Sequence, residues 1–442
     1  MKYREIQLPA TEEPLMLMAR LARSGLFGQY AVYENGAEWS FAGGALAELR
    51  LDRDSLDGTR DLVAVEEWLA SLPVTGYRAY GWAAFELGAA LAGVDPGDGR
   101  LLCLAVPAGE VRAEGGRVLV RAVDPELLER LARFVGAPGE PVAVPDGRVG
   151  AALDDPGGYR EAVAAVLAHL HGPGPLEKVI LSRRVEVPVP LDLTATYVAG
   201  RRANTPARSF LLDLGGVQAA GFSPETVAEI TGDRRVVSRP LAGTRARTGA
   251  PAEDARLRAD LLGDPKEVHE HAVSVKLALE ELAAVCDETY VAEYMTVEER
   301  GTVQHLASAV VGRLRADRTP WQAFAALFPA VTATGIPKAP AYPLIRRLEG
   351  RPRGLYAGAV LTCDASGALD AALVLRTVFQ EDGHCWLQAG AGIVRQSRPA
   401  REHEETCEKL RSVAGHLVPG AGVSGAPEIP GQVGAVSDTV AP

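Results

Sequence analysis

From about Asp155 onward the chain is built from short apolar segments of strand length, many of them joined by tight turns. These segments include EKVILSRRVEVPV, RSFLLDLG, VQAAGFSPETVAEI and RRVVSRPLAG, and turns such as LGG and GDR connect several of them. Hairpin turns join antiparallel strands, whereas a parallel sheet needs strands that alternate with helices. The pattern therefore predicts an α+β fold in which the helices are segregated from an antiparallel β-sheet.

Two long helices interrupt these strands. The segment DPKEVHEHAVSVKLALEELAAVC has Asp264 as a suitable N-cap and Pro265 at the first helical position, and a final helix follows Pro399. Between them, YAGAVLTC, ALDAALVLRTVFQ and CWLQAGAGIV are predicted as strands linked by DASG and EDGH turns. Before Asp155 the chain mixes strand-like runs such as QYAVYE with helical stretches such as PELLERLARFVG.

The composition limits the classes of protein to which the chain can belong. Its formal net charge of -11 disfavours nucleic-acid binding, because neutralising phosphates requires a basic face. No apolar run reaches the roughly 20 residues of a membrane helix, and the N-terminal sequence lacks the order of a signal peptide. The five cysteines are scattered without CxxC spacing. We therefore predict a cytoplasmic globular protein with reduced thiols.

Two Glu-x-x-Glu pairs, Glu267 with Glu270 and Glu402 with Glu405, fall near the starts of the two long helices. Three-residue spacing places both carboxylates of a pair on one helix face, so four carboxylates would converge if the two faces met. Such a cluster needs a compensating cation, and ligands that are all oxygen favour Mg²⁺ or Mn²⁺ over zinc. The pairs therefore suggest a magnesium site walled by carboxylates.

Each pair alone also has a simpler explanation. The helix dipole favours acidic residues in a first turn, and Glu267 lies three residues after Asp264, as in a capping box. Glu405 lies four residues before Lys409, which is the spacing of an ordinary surface ion pair. A single pair is therefore better explained as part of a solvated helix face. A metal site is favoured only because other motifs occur together with the two pairs.

Lysine is rare in this chain, and one lysine starts an apolar strand. Because Arg supplies nearly all of the positive charge, a retained Lys is a candidate for chemistry that requires loss of a proton. Burial of Lys178, in EKVILSRR, would favour its neutral amine and allow it to act as a general base. Burial of Glu225, in GFSPE, would raise its pKa and allow it to donate a proton. The alternatives are a surface lysine and a solvated turn residue.

Several polar or very small residues stand in otherwise apolar stretches. A buried Arg376, in ALDAALVLRTVFQ, would need an anionic partner, either a substrate carboxylate or an internal Asp or Glu. His305 in VQHLAS and Tyr356 in RGLYAG have similar surroundings, although a lone His there is more often a satisfied core residue. The small residues of Gly390–Gly392 would let backbone amides approach a carboxylate, or would form a β-bulge.

Ten short motifs occur along the chain in the order KVILSR, GFSPE, PLAGTR, KEVHEH, VQHL, FPAVTATGIPKA, RGLYAGAV, LVLRTVFQ, AGAGIV and EHEETCEKL. In this order they resemble the chorismate-utilising enzymes, a family that includes anthranilate, aminodeoxychorismate, isochorismate and salicylate synthases. The resemblance spans residues 155–418 and is loose in the N-terminal third. It implies large antiparallel β-sheets that form a central core, with helices packed outside.

We therefore predict a single large domain over residues 1–418, with a less recognisable N-terminal part (1–150) and a catalytic part (151–418). The Pro- and Gly-rich stretch 136–150 is expected to connect these parts without separating independent domains. Residues after about Pro419 are rich in Gly, Pro and Ser without periodicity, so 419–442 is predicted to be a disordered tail.

Within the family the sequence is most similar to the salicylate synthases. Members that add ammonia carry Gln at the position of Lys178, whereas Lys belongs to members that activate water. The resemblance implies that Lys178 activates water for attack on C2 of chorismate and that Glu225 protonates the departing C4 hydroxyl. His305 would complete the catalytic set against the ring. Elimination of pyruvate from the isochorismate formed would then give salicylate.

The resemblance also implies the binding residues. Glu270 and Glu405 would ligate Mg²⁺ directly and Glu267 and Glu402 through its waters, so that the metal holds the ring carboxylate. The residues expected to bind substrate are Thr244, Thr332, Tyr356, Arg376, Gly390, Ala391, Gly392 and Lys409.

Two other functions stay open from the sequence. The enzyme would be an isochorismate synthase if it stopped after the first step, although Thr332 favours the longer reaction. A non-catalytic relative would bind a carboxylate metabolite or a partner subunit.

Arg239 stands where the salicylate synthases carry Glu, and an inward Arg239 would change the charge of the pocket. The chain has no amidotransferase segment, and Lys178 in place of Gln implies water as the nucleophile, so no amidotransferase subunit is expected. The resemblance further implies a monomer.

Overall fold

The computed structural model describes residues 1–56, 61–155, 157–301 and 303–420. Residues 421–442, which form most of the predicted tail, lie outside the described residues. Pro419 and Gly420 are described and contact the body of the chain. Pro419 forms an isolated β-bridge with Leu191, and the amide of Gly420 donates to the carbonyl oxygen of Pro190 at 2.9 Å. The described residues thus include two positions that were assigned to the tail.

Helices occur at intervals along the whole described chain. They are α1 (Pro14–Arg23), α2 (Val63–Ser71), α3 (Phe85–Leu91), α4 (Pro125–Gly136), α5 (Tyr159–His171), α6 (Leu193–Ala203), α7 (Pro251–Gly263), α8 (Pro265–Ala283), α9 (Pro320–Leu327), α10 (Lys338–Glu349) and α11 (Pro399–Ala414). The two predicted long helices correspond to α8 and α11. None of the helices in the described ranges is long and apolar enough to cross a membrane.

Strands make up most of the remaining regular structure. They are β1 (Arg4–Pro9), β2 (Tyr30–Asn35), β3 (Glu38–Gly43), β4 (Ala47–Asp52), β5 (Arg78–Ala83), β6 (Arg100–Val106), β7 (Gly109–Glu114), β8 (Arg117–Ala122), β9 (Lys178–Val187), β10 (Arg208–Leu214), β11 (Val217–Ser223), β12 (Thr226–Ile230), β13 (Arg235–Ser238), β14 (Leu241–Ala246), β15 (Cys286–Arg300), β16 (Val303–Leu314), β17 (Gly335–Ile336), β18 (Ala359–Asp364), β19 (Leu369–Leu373), β20 (Thr377–Glu381) and β21 (His384–Ile393).

The strands form two large sheets. In the described residues the larger sheet has eleven strands in the order β1-β8-β7-β3-β2-β10-β11-β20-β21-β9-β17. The smaller sheet has ten, with the path β14-β16-β13-β12-β19-β18-β5-β6-β4 and with β15 paired to β16. Neighbouring strands such as β10 and β11, or β20 and β21, run antiparallel. The predicted α+β fold with large antiparallel sheets is confirmed.

Both sheets combine strands from the two ends of the chain. In the larger sheet β2 pairs with β10, and Ala31 lies opposite Leu212. In the smaller sheet β5 pairs with β18, and Tyr80 lies opposite Thr362. The segment 136–150 therefore crosses the surface of one common body.

The larger sheet is buried on both faces. Alternate side chains of a strand point to opposite faces, so successive residues show what covers each face. On β10, Phe210 and Leu212 join the apolar cluster between the two sheets, whereas Leu211 joins a second cluster. That second cluster also contains Met18 of α1 and Leu131 of α4. Helices thus cover the outer face of the larger sheet, and the main core lies between the sheets.

Candidate active site

A cavity lies between the two sheets, at the end where α8 packs on β14 and α11 packs on β21. Its walls come from β9 and β21 of the larger sheet and from β14 and β16 of the smaller sheet. Eleven of the residues predicted for the site line this cavity: Glu225, Thr244, Glu270, His305, Thr332, Tyr356, Arg376, Gly390, Gly392, Glu405 and Lys409. Four predicted residues, Lys178, Ala391, Glu267 and Glu402, lie behind its walls.

Lys178 is the first residue of β9, and its side chain is fully buried. Its Nζ lies 3.0 Å from Oε1 of Glu270 and donates to Oγ of Ser274 at 3.0 Å. Gly392 lines the cavity and packs closely against the side chains of Lys178 and Glu270. A Cβ at Gly392 would collide with Oε1 of Glu270 and lie 3.1 Å from Cε of Lys178, so the close approach of these groups requires glycine.

Glu225 lies in the turn between β11 and β12 and is only 3% exposed. Burial raises the pKa of its carboxyl group to about 8, against a smaller lowering by the hydrogen bond from Thr332. The hydroxyl Oγ1 of Thr332 donates to Oε1 of Glu225 at 2.5 Å. At neutral pH Glu225 therefore holds a proton at the cavity wall, as a general acid must.

The two glutamate pairs converge, but three of their four carboxylates surround an ammonium group and the fourth, that of Glu405, pairs with Lys409. Nζ of Lys266 lies 3.0 Å from Oε2 of Glu270, 3.6 Å from Oε1 of Glu267 and 3.7 Å from Oε1 of Glu402. Across the described residues, no group of three or more His, Cys, Asp or Glu side chains is already gathered in metal-ligating geometry. The carboxylates are therefore held by cationic side chains in this arrangement.

The two members of each pair differ in position and charge. Glu270 and Glu405 face the cavity, and neighbouring lysines lower the pKa of both carboxyl groups although burial opposes this. Glu267 and Glu402 line a separate outer cavity, and burial raises the pKa of both. The inner glutamates are thus the more strongly ionised ones.

The cluster fits a divalent cation that prefers oxygen ligands. The atoms Oε2 of Glu267, Glu402 and Glu405 are buried and have no hydrogen-bond partner. Buried carboxylate oxygens are stable only when a cation or a donor satisfies them. Three such oxygens from two helices match the preference of Mg²⁺ for carboxylate ligands.

The opposite side of the cavity carries a buried guanidinium group. Arg376 is 8% exposed and forms no ion pair with any carboxylate in the part of the chain that the structure describes. Its Nη2 donates to Nε2 of His305 at 3.0 Å, and its Nη1 is 3.4 Å from Oγ of Ser412. Of the two partners expected for Arg376, the structure supplies no internal Asp or Glu. The guanidinium therefore remains available for a carboxylate ligand.

His305 is a neutral imidazole that links β14 to Arg376. Burial, with Arg376 beside it, holds its pKa well below the usual range. Because Arg376 donates to Nε2, the proton lies on Nδ1, which is 3.2 Å from the carbonyl oxygen of Gly243 and 3.1 Å from Oγ1 of Thr244. His305 thus accepts from Arg376 and fixes its orientation, while Tyr356 forms an adjoining wall.

The strand β21 presents alternate amides to the cavity. Gly390 lies opposite Ser182 and Gly392 opposite Ile180, in a regular register without a bulge. The amides of Ser182 and Ile180 donate elsewhere, to Glu349 and Thr334, so the amides of Gly390 and Gly392 point away from β9.

Ala391 differs from its two neighbours on β21. It is fully buried, lies opposite Leu181 in the sheet and is absent from the cavity wall. Lys409 reaches the same strand from α11, donating to the carbonyl oxygen of Gly390 at 2.8 Å and to Glu405 at 2.7 Å. The amides available to a ligand are therefore those of Gly390 and Gly392.

Sequence reasoning missed two cations of the glutamate cluster. Lys266 directly precedes Glu267. The rarity of lysine among the charged residues of this chain was the available signal. Arg245, in PLAGTR, lies 3.1 Å from Glu267 and 2.6 Å from Asp264. Asp264 caps α8 as predicted, whereas the carboxylate of Glu267 turns to Arg245 and Lys266 instead of completing a capping box.

Arg239 does not alter the charge of the cavity. Its side chain is 38% exposed and lies 3.5 Å from Glu229 and 3.8 Å from Glu293, outside the cavity wall. The departure at this position from the salicylate synthases therefore does not reach the cavity.

Comparison with known proteins gives consistent matches. The family model described as chorismate binding enzyme matches residues 24–415. The salicylate synthase of Mycolicibacterium paratuberculosis is 42% identical over 439 residues, covering 93% of this chain and 96% of that protein. Anthranilate synthase component 1 of Methanothermobacter thermautotrophicus is 38% identical over 242 residues, covering 54% of this chain and 52% of its own length.

Solved structures show the same fold. The menaquinone-specific isochorismate synthase MenF of Escherichia coli superposes with a TM-score of 0.73 at 22% identity, covering 93% of this chain and 94% of its own. With the family match over nearly the whole length, the two-sheet fold and the cavity between the sheets, the chain belongs to the chorismate-binding enzyme family.

Proposed function

We propose that this protein is a Mg²⁺-dependent salicylate synthase that converts chorismate through isochorismate to salicylate and pyruvate. The observation that carries the proposal is the placement of two buried groups at one cavity, with Glu225 in its wall and Lys178 directly behind it. Burial raises the pKa of the Glu225 carboxyl group to about 8. The relative named salicylate synthase, which matches over nearly the full length of both chains, supports the same reaction.

The first step is an isomerisation in which a hydroxyl group enters at C2 and another leaves from C4. Lys178 acts as the general base and takes a proton from water at Nζ while the water oxygen bonds to C2. Glu225 gives its carboxyl proton to the C4 hydroxyl, which departs as water. Thr332 holds the acid in place through its 2.5 Å hydrogen bond.

The second step removes the enolpyruvyl side chain. Hydrogen shifts from C2 to the methylene carbon of the side chain as the C3–O bond breaks, which gives pyruvate and aromatic salicylate. This step needs no further acid or base, only a substrate held in a folded conformation. Residues that hold the side-chain carboxylate therefore determine whether the reaction proceeds beyond isochorismate.

The binding groups divide between the two sides of the cavity. When bound, Mg²⁺ would supply positive charge for the ring carboxylate, with Glu270 and Glu405 as direct ligands and Glu267 and Glu402 acting through water. Arg376, Tyr356, Lys409 and the amides of Gly390–Gly392 would hold the pyruvyl carboxylate, while Thr244, Thr332 and His305 would line the ring. The unpaired guanidinium of Arg376 and the free amides of β21 support this division.

A product assay tests the proposal. Purified protein incubated with chorismate and Mg²⁺ is expected to form salicylate, followed by its fluorescence, with one pyruvate for each salicylate. Isochorismate that accumulates without pyruvate would instead identify an isochorismate synthase. Binding of chorismate without turnover would identify the protein as a non-catalytic relative. The buried Lys178 and Glu225 argue against that outcome.

The protein is further proposed to act in the cytoplasm as a monomer without an amidotransferase subunit. The five cysteines are all buried and unpaired, which suits a reducing compartment. Lys178 in place of Gln supports water over ammonia as the nucleophile, so no ammonia-supplying partner is required.

A further inference from the structure

Lys266 is the second residue of α8, and its ammonium group lies between the glutamate pairs of two different helices. Its Nζ contacts Oε2 of Glu270 at 3.0 Å, Oε1 of Glu267 at 3.6 Å and, across from α8, Oε1 of Glu402 on α11 at 3.7 Å. Its side chain is only 14% exposed. For Glu402 it is the one ion-pair partner within the described residues.

Each carboxylate of the cluster has a cationic side chain beside it. Besides Lys266, one cation lies beside each of the other carboxylates. These close pairs are Lys178–Glu270 at 3.0 Å, Lys409–Glu405 at 2.7 Å and Arg245–Glu267 at 3.1 Å. Arg245 is also shared with Asp260 and Asp264, each at 2.6 Å. Carboxylates gathered this closely would otherwise repel one another and be stabilised in the neutral form.

Lys266 also stands between two cavities. Glu270 and Glu405 line the inner cavity between the sheets, whereas Glu267, Glu402 and Lys266 line an outer cavity of about 460 Å³. A cation that is shared by the inner and outer glutamates must lie between these cavities. The ammonium group of Lys266 already occupies that region, as its distances to both pairs show.

We propose that Lys266 is an internal counter-cation that competes with Mg²⁺ for the glutamate cluster and must withdraw from Glu270 when the metal binds. The proposal rests on the proposed metal site. It follows that Lys266 stabilises the metal-free protein and weakens metal binding, because each Mg²⁺ must displace a positive charge from the same carboxylates. The outer cavity gives the displaced side chain room to move into.

The test compares Lys266→Met with wild type by titrating Mg²⁺ calorimetrically in the absence of chorismate, and by thermal unfolding in EDTA. Removing one close charge is expected to tighten Mg²⁺ binding by about tenfold or more and to lower the Tm in EDTA. The gap between the Tm values in Mg²⁺ and in EDTA should widen. Lys266→Arg, which keeps the charge, should bind Mg²⁺ no more tightly than wild type.

The matched control is Lys276→Met, the same change on the same helix. Lys276 is 75% exposed and lies 3.8 Å from Glu280, so its removal should leave Mg²⁺ affinity unchanged. If wild type binds Mg²⁺ and Lys266→Met binds it equally or more weakly, Lys266 does not compete with the metal. That result would overturn this proposal and leave the proposed function unaffected. If Lys266→Met does not fold, Mg²⁺ binding by Lys266→Arg that is tighter than wild type would overturn it. Absence of Mg²⁺ binding by wild type would overturn both proposals.

Discussion

Nζ of Lys178 lies 3.0 Å from Oε1 of Glu270, so the proposed base and a proposed metal ligand contact each other directly. The other oxygen of Glu270 is held by Lys266 at 3.0 Å. A cation that ligates Glu270 therefore competes with both ammonium groups for the same carboxylate. The metal-binding and proton-transfer parts of the site are thus one connected network, and changes in one part should be measurable in the other.

Lys178→Gln should abolish most of the turnover while leaving a folded protein that still binds Mg²⁺. Loss of a general base typically costs about 10²- to 10⁴-fold in rate. Salicylate fluorescence measures the rate, and calorimetry measures the metal. The control Lys276→Gln changes an exposed lysine and should behave as wild type. Turnover by Lys178→Gln close to that of wild type would rule out the assignment of the base.

Glu225→Gln should also lose about 10²- to 10⁴-fold in rate, because the amide cannot protonate the leaving hydroxyl. Wild-type kcat should fall as the pH rises through about 8, where Glu225 gives up its proton. The residual activity of the variant should lack this alkaline decline. An alkaline decline that persists unchanged in Glu225→Gln would mean that another group titrates.

The same substitution should change the pH dependence of stability. Burial raises the pKa of Glu225 from 4.5 to about 8, so between these values the folded protein keeps a proton that the unfolded chain has lost. Stability contributed by Glu225 therefore falls as the pH rises through this window. The Tm of Glu225→Gln should exceed that of wild type near about pH 8.5, and the difference should shrink toward about pH 5. Glu67→Gln, an exposed change on α2, should show no such trend.

The long elements and their caps were predictable because their signals are local. Asp264 and Pro265 mark the start of α8 within a few residues, and the turns of the last three strands also lie next to the segments that they join. Strand order was not predictable in this way. The pairing of β2 with β10 joins segments about 180 residues apart, and nothing in either segment specifies its partner.

The site was predicted unevenly for the same reason. Residues carried by recognisable motifs, such as Glu225 and Arg376, line the cavity. The cations that hold the glutamates were missed, because Lys266 and Arg245 acquire their partners only when α8, α11 and β14 come together. Ala391 shares a motif with two cavity-lining glycines, but the alternation of the strand turns it away.

Glu270→Gln and Glu405→Gln should each weaken Mg²⁺ binding and shift the Mg²⁺ dependence of activity to higher concentration. Their fold should persist, because glutamine keeps the size of the side chain and an oxygen that can accept from the neighbouring lysines. Glu280→Gln, an exposed change on α8, serves as the control. Wild-type Mg²⁺ titration curves for both variants would place the metal elsewhere.

Arg376→Met should raise the KM for chorismate by about 30-fold or more, since it removes a buried charge that has no internal carboxylate partner. For the same reason the Tm should change little. Arg208 is the contrasting control, because its guanidinium lies 2.7 Å from Asp370. Arg208→Met should therefore lower the Tm. A large loss of stability in Arg376→Met with an unchanged KM would indicate a structural role.

Gly392→Ala should disrupt the contact between the base and the metal ligand. Its new Cβ would collide with Oε1 of Glu270 and crowd Cε of Lys178, so both turnover and Mg²⁺ affinity should fall. Gly136→Ala introduces a Cβ that meets nothing within 4 Å and should be neutral. An active Gly392→Ala variant with normal Mg²⁺ binding would show that β21 can yield at this point.

Turnover of chorismate in H₂¹⁸O with Mg²⁺, followed by mass spectrometry of the products, reports both the origin of the new hydroxyl group and the final product. If Lys178 activates solvent water, salicylate will carry one solvent-derived ¹⁸O at its phenolic oxygen and will form together with an equal amount of pyruvate. Isochorismate as the final product, or salicylate without the label, would contradict the proposed reaction.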